Sequence, residues 1–153
     1  MRKLTVLMLF LIISLLAFAQ TKQNVSSKTP VPQLKKLLTG TGLPFKMIND
    51  SLYVVPYEGA NIASYDVIIQ KASDLFIIYT NLTDISPGKI DESKYKYLLQ
   101  QNDHFDIIKI GISSEDKTVY VRADLFRSVT NMALLKRVIM QVANVTNIMA
   151  GEL

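Results

Sequence analysis

The sequence predicts an α+β fold in which helices pack against one antiparallel sheet. Short runs of β-branched and aromatic residues, separated by tight turns, occupy residues 45–80 and again residues 107–125. Apolar residues at helical spacing precede, separate and follow these two regions. The predicted order is therefore α-β-β-β-β-α-β-β-α, within a single domain that spans residues 30–153.

The first nineteen residues have the features of a secretory signal peptide. Arg2 and Lys3 precede an aliphatic run over residues 4–16, and Ala17 and Ala19 supply the small residues of a cleavage site. The aliphatic run is shorter than the roughly 20 residues that a membrane-spanning helix needs. We therefore expect residues 1–19 to be removed, so that the exported chain starts at Gln20 and has no membrane anchor.

Composition narrows the class of protein further. Cleavage would remove two of the 17 basic residues and leave 15 against 13 acidic ones, a net charge of +2. Because these charges are interspersed, we expect no nucleic-acid surface. The chain has no cysteine, which excludes disulfides and a lipid attached at Gln20. Together these features favour a bacterial periplasmic or secreted protein.

The mature chain is predicted to begin with a flexible leader and a short helix. Residues 20–29 are polar and lack an apolar period. Pro32 suits the first turn of a helix, and Gly40 and Gly42 are expected to end it. The apolar face of this helix consists of three leucines: Leu34, Leu37 and Leu38.

Six strands are predicted in two groups. They cover residues 45–48, 52–57, 64–71, 75–80, 107–112 and 119–125. Residues 75–80 (LFIIYT) are apolar on both faces, which predicts a central strand that is either covered on both sides or paired across an interface. The last strand alternates, with Tyr120, Arg122 and Asp124 on a solvated face.

A second helix is predicted between the two groups of strands. Asp91 and Glu92 supply acidic side chains for its first turn, where they complement the helix dipole. The side chains that fall on one face of this helix are Tyr95, Leu98, Leu99 and Asn102.

The last predicted helix runs from a cap at Thr130 to Ala150, with Gly151 as its stop. One apolar stripe contains Met132, Leu135, Ile139, Val142, Thr146 and Met149. A second stripe beside it contains Leu134, Val138, Val145 and Ile148. Two interpretations remain open: the helix is buried between the sheet and a neighbouring helix, or the second stripe meets a second subunit or a client. The four residues of the second stripe are the candidate protein interface.

Three local phrases accompany the predicted order of elements. They are Leu37-Leu38 followed by Gly42-Leu43-Pro44, the helix end Leu98-Leu99-Gln100-Gln101-Asn102, and the hairpin end Ala123-Asp124-Leu125. On these phrases the chain resembles the YbjN-like family, which has the type III secretion chaperone-like fold. The resemblance implies a sheet with helices packed on it, frequent dimerisation, no catalytic residues and binding of extended protein segments. The predicted export differs from the cytoplasmic secretion chaperones, so the resemblance implies no particular client.

The segment from Asn102 to Asp106 is the best candidate for an active site, because it contains the only histidine, His104. A zinc site needs three or four ligands, and the chain has no second histidine and no cysteine to supply them. The sequence also lacks the motif of a serine nucleophile. We therefore expect no metal, no cofactor and no catalytic residue.

Four tyrosines lie on predicted strands and invite comparison with a carbohydrate platform: Tyr53, Tyr57, Tyr65 and Tyr79. Packing in a half-solvated sheet is the interpretation we favour, since tyrosine is common on strands.

The sequence thus predicts an exported, non-enzymatic domain that binds a protein and forms a homodimer. The alternatives are a small envelope hydrolase or ligand-binding protein centred on Asn102 to Asp106, and a structural component of the envelope.

Overall fold

The computed structural model describes residues 32–82, 91–115 and 118–152. The predicted signal peptide (1–19) and leader (20–29) lie outside these residues. The described residues form three α-helices, α1 (Gln33–Thr41), α2 (Glu92–Gln101) and α3 (Met132–Glu152). They also form six strands: β1 (Lys46–Asn49), β2 (Leu52–Tyr57), β3 (Tyr65–Ala72), β4 (Leu75–Asn81), β5 (Lys109–Ile112) and β6 (Val119–Phe126). The prediction of an α+β fold with this order of elements is confirmed.

All six strands belong to one antiparallel sheet with the order β1-β2-β3-β4-β6-β5. The first four strands are joined by consecutive hairpins. The chain then leaves β4, forms α2 and a 3₁₀ turn (Asn102–His104), and enters the sheet again at its far edge as β5. As a result β1 and β5 are the two edges, and β4 lies near the centre between β3 and β6.

The core occupies one side of the sheet. Alternate side chains of β3, β4 and β6 point to this side and pack against α1 and α3, because successive strand residues point to opposite faces. The fully buried members of this layer include Leu34 and Leu38 of α1, Ile69, Phe76 and Ile78 of the sheet, and Leu135 and Ile139 of α3.

Helix α1 continues one residue past the first glycine that was expected to end it. Gly40 lies within the helix, and the residue that ends it is Gly42, which adopts the left-handed conformation (φ 72°). A Cβ atom at Gly40 would overlap Sδ of Met132 at the start of α3, so the flexible Met132 side chain packs over this glycine.

Helix α2 begins as predicted and is mostly exposed. The Asp91 carboxylate accepts a hydrogen bond from the Lys94 backbone N–H at 2.9 Å, so Asp91 caps the helix. Leu98 is buried, but Leu99 is 69% exposed and Tyr95 is 37% exposed. Of the four side chains predicted to share one face, Leu98 is the one buried, because this helix packs on the edge strand β5.

Helix α3 is capped one residue later than predicted. Asn131 accepts a hydrogen bond from the Leu134 backbone N–H at 2.9 Å, whereas the Thr130 hydroxyl donates to the Phe126 carbonyl. The helix also continues through Gly151 to Glu152. Within the described ranges, none of the helices has the length and apolar character needed to cross a membrane.

Candidate functional site

The side of the sheet opposite the helices is here called the open face. Strand β4 shows the difference between the two sides: Phe76 and Ile78 are buried, whereas Ile77 and Tyr79 are half-buried and do not belong to the core. The central position predicted for residues 75–80 is confirmed, but the helices cover only one of the two faces. The half-exposed apolar side chains of the open face are Leu52, Val54, Ile68, Leu75, Ile77, Tyr79 and Tyr120.

The strand register places these side chains in continuous rows. Val54 lies opposite Ile68, and Ile68 lies opposite Tyr79. Tyr79 in turn lies opposite Arg122, and Arg122 lies opposite Lys109 on the edge strand. Directly opposed side chains are close enough to contact one another in an antiparallel sheet. The open face therefore has apolar side chains at its centre on β2 to β4. Charged side chains lie around them: Lys46 on β1, Asp66 on β3, and the group on β5 and β6.

The three charged side chains on β5 and β6 form a network. Nε of Arg122 donates to the Asp124 carboxylate at 2.7 Å, and Nζ of Lys109 donates to it at 3.2 Å. Burial alone would raise the pKa of the Asp124 carboxyl, but the hydrogen bonds and charges of Arg122 and Lys109 outweigh burial and hold this pKa below its usual value. One carboxylate thus faces two cations, and the network carries one net positive charge.

Tyr120 lies directly over a glycine on the neighbouring strand. Gly111 is opposite Tyr120, and a Cβ atom at Gly111 would lie 2.5 Å from both Cζ and the hydroxyl oxygen of the tyrosine. Only the absence of a side chain at Gly111 allows the Tyr120 ring to rest against the backbone of β5. The aromatic ring is thereby held against the sheet beside Arg122.

A shallow depression of about 210 Å³ lies between these groups on the open face. Its walls are Gln70, Ile77, Tyr79, Asn81, Tyr120 and Arg122. Among the described residues, the terminal nitrogens of Arg122 and the side-chain amides of Gln70 and Asn81 have no hydrogen-bond partner. The depression therefore offers hydrogen-bond donors around an apolar floor.

The structure separates the four residues that the sequence predicted as an interface. Val138 is fully buried and Val145 is 4% exposed, so the folded chain does not present them to a partner, and the prediction of a surface stripe is wrong for these two. Leu134 is half-buried against the core, and Ile148 is 47% exposed. The physical reason is that α1 and the sheet both contact α3, so its wide apolar arc is used inside the chain.

In the segment from Asn102 to Asp106, the Asn102 side chain is bound to the backbone and the charged side chains point to solvent. Oδ1 of Asn102 accepts a hydrogen bond from the Ile110 backbone N–H at 2.7 Å, and Nδ2 donates to the Ile110 carbonyl at 3.1 Å. Asp103, His104 and Asp106 are exposed. In the part of the chain that the structure describes, no hydrogen bond or ion pair joins His104 to either aspartate.

The tyrosines that the sequence placed on strands divide between the two faces. Tyr53 is fully buried in the core, and Tyr57 stacks on Tyr65 with ring centroids 5.9 Å apart. The Tyr65 hydroxyl donates to the Ala143 carbonyl of α3 at 2.9 Å, and burial raises the pKa of Tyr65. These three tyrosines pack as we interpreted them, whereas Tyr79 lies on the open face.

Only the β6 side of the open face could be recognised from the sequence. The alternation of β6 indicated correctly that Tyr120, Arg122 and Asp124 share one side of the strand. The contact between Tyr120 and Gly111 was missed, because it depends on the register between two strands. A glycine inside a predicted strand was the available signal, since such a glycine frequently marks a close approach of another group.

Residues 32–82, 91–115 and 118–152 contain no cluster of three or more histidine, aspartate or glutamate side chains that could hold a metal ion. The chain matches no protein-family model, no curated protein and no solved structure. Its resemblance to the YbjN-like family therefore rests on its own residues and stays a prediction.

Proposed function

We propose that this chain is an exported, non-enzymatic domain that binds a protein partner through the open face of its sheet. The observation that carries the proposal is that the central strand β4 has apolar side chains on both faces, whereas the three helices of the described residues pack on only one. Ile77 and Tyr79 are the side chains left at the centre of the open face. Large apolar patches with a polar margin are typical of protein interaction sites.

The size of the open face suits such a role. At a strand spacing of about 4.8 Å and a rise of about 3.3 Å per residue, six strands of these lengths present a flat area of roughly 600 Å². A stable protein interface buries about 800 Å² of solvent-accessible surface on each partner. This quantity follows the contours of the side chains and is therefore larger than the flat area. The open face is thus large enough to supply most of one side of an interface.

The chemistry of the open face supports binding and not catalysis. On β3 to β6 the acidic side chains of the open face are Asp66, which is exposed, and Asp124, whose carboxylate is already bound by two cations. A general acid or base needs a pKa near the working pH, whereas the pKa of Asp124 is shifted away from neutrality. The alternative of a hydrolase centred on Asn102 loses support, because the amide of this residue is bound to the backbone of Ile110.

The family resemblance supports the same kind of function, since it implies binding of extended protein segments. The predicted signal peptide supports a periplasmic or secreted location. Homodimerisation is part of the same proposal, with a second copy as one partner that the open face could take.

Recovery of partners from the cells that produce the protein tests this proposal. Ile77→Asp places a charge at the centre of the open face, and Ile148→Asp is the matched control on the exposed side of α3. We expect Ile77→Asp to reduce the recovered partner about tenfold, while Ile148→Asp leaves recovery unchanged. Circular dichroism verifies that both variants are folded. Unchanged recovery with a folded Ile77→Asp variant would overturn the proposal, as would equal losses in the two variants.

A further inference from the structure

Arg122 is the one charged side chain among the residues that line the depression. Asp124 carries one negative charge and accepts hydrogen bonds from both Arg122 and Lys109. Arg122 uses only Nε for this contact, and its terminal nitrogens have no partner among the described residues. A guanidinium with two free terminal nitrogens suits a carboxylate, which it can bind through two parallel hydrogen bonds.

The volume of the depression indicates whether its ligand is a free small molecule or a single side chain of a partner protein. Pockets for cofactors and drug-sized ligands measure roughly 300–1,000 Å³ and enclose most of the ligand. The depression measures about 210 Å³ and is shallow. It is therefore suited to a single side chain presented by a larger partner.

The walls of the depression select the kind of side chain. Ile77 provides an apolar floor, and the Tyr120 ring is held against β5 by its contact with Gly111. The unpaired amides of Gln70 and Asn81 add hydrogen-bond donors at the margin. A glutamate or aspartate side chain fits these walls. Its methylene groups would contact Ile77, and its carboxylate would bind the guanidinium of Arg122.

We propose that the depression lined by Tyr79, Tyr120 and Arg122 binds the carboxylate of a glutamate or aspartate in an extended, apolar segment of a partner protein. This inference rests on the proposed function, because it names the chemistry of the partner that the open face takes. Arg122 supplies the specificity, and the apolar centre of the face binds the rest of the segment.

Two blocked hexapeptides test the inference directly. They are acetyl-TVTETV-amide, in which the two valines and the glutamate share one side of an extended chain and the glutamate carries the only carboxylate, and acetyl-TVTQTV-amide, in which an amide replaces it. Each is titrated into the ¹⁵N-labelled protein, and binding is followed by NMR. We expect the glutamate peptide to bind about tenfold more tightly and to shift the amide signals of Gly111, Tyr120 and Arg122.

Arg122→Gln and Lys109→Gln form a matched pair of variants. Each removes one positive charge and leaves Asp124 with one cation, but only Arg122 lines the depression. We expect Arg122→Gln to abolish the preference for the glutamate peptide and Lys109→Gln to keep it. Equal affinity of the wild-type protein for the two peptides would overturn the inference, as would an unchanged preference in Arg122→Gln. Tighter binding of methyl glucuronide than of the glutamate peptide would overturn it in favour of a saccharide.

The failure of this inference is distinguishable from the failure of the proposed function. If Ile77→Asp releases the cellular partner but Arg122→Gln does not, the open face binds protein without using a carboxylate. If neither variant releases a partner, the proposed function itself is wrong.

Discussion

The side chain of Asn102 pairs with both backbone groups of Ile110 on the outer edge of β5. Its oxygen accepts from the Ile110 N–H at 2.7 Å, and its amide nitrogen donates to the Ile110 carbonyl at 3.1 Å. Asn102 thereby makes the two hydrogen bonds that a further strand would make to this residue. An exposed strand edge is a template for unwanted pairing, so this contact closes one edge of the sheet.

Replacing Asn102 with alanine is expected to destabilise the protein by about 1–3 kcal/mol, because the two backbone groups of Ile110 lose their partners. Urea unfolding measures the change, and hydrogen exchange at the Ile110 amide locates it. His104→Ala is the control two residues away, and it should change the free energy of unfolding by less than about 0.5 kcal/mol. A larger effect of His104→Ala than of Asn102→Ala would contradict this account.

Gly111→Ala tests the contact between Gly111 and Tyr120. In the wild-type background the new methyl group meets the tyrosine ring, so we expect a loss of about 1 kcal/mol of stability from overpacking. In the Tyr120→Ala background the same change should be neutral or stabilising, since alanine reduces the entropy of the unfolded chain. The coupling energy from this double-mutant cycle is the measurement, and strict additivity would exclude the contact.

Charged substitutions on α3 test whether its apolar residues pack inside the folded chain or contact a second subunit. Val138→Glu buries a charge in the core, so we expect it to prevent folding, as seen by circular dichroism. Ile148→Glu lies on the exposed side of the same helix and should leave the spectrum unchanged. A folded Val138→Glu protein of lower mass in light scattering would show instead that Val138 contacts a second subunit.

The pKa of Asp124 predicts how stability depends on pH. Because this pKa is lower in the folded chain than in the unfolded chain, the carboxylate stabilises the fold above about pH 4, the usual pKa of aspartate. The contribution is lost as the pH falls through the folded pKa. The difference in urea midpoint between wild type and Asp124→Asn should therefore be largest near pH 7 and shrink below pH 4. A difference in urea midpoint that grows as the pH falls would contradict a stabilising role of the ionised Asp124 carboxylate.

The sequence was sufficient to predict the elements because strand alternation and turn residues are local signals. Residues 52–57 were predicted with the bounds that the structure has, and the alternation of β6 separated its two faces correctly. The contact between Asn102 and Ile110 could not be predicted, because it depends on where β5 lies after the 3₁₀ turn.

The role of α3 shows a second limit of sequence analysis. Its apolar arc is wider than one sheet contact needs, but the sequence does not reveal what covers the rest. In the structure that cover is α1, which contacts α3. The burial of Val138 and Val145 follows only from this packing of the helices, and it is the reason that we propose the open face of the sheet as the partner surface.

Site-specific photo-crosslinking in the producing cells tests the central claim most directly. A photoreactive amino acid is placed at Tyr79 on the open face, and in a second variant at Met140, which is 43% exposed on the opposite helical layer. The account predicts a discrete crosslinked protein from position 79 and none from position 140. Crosslinking from position 140 with none from position 79 would contradict it.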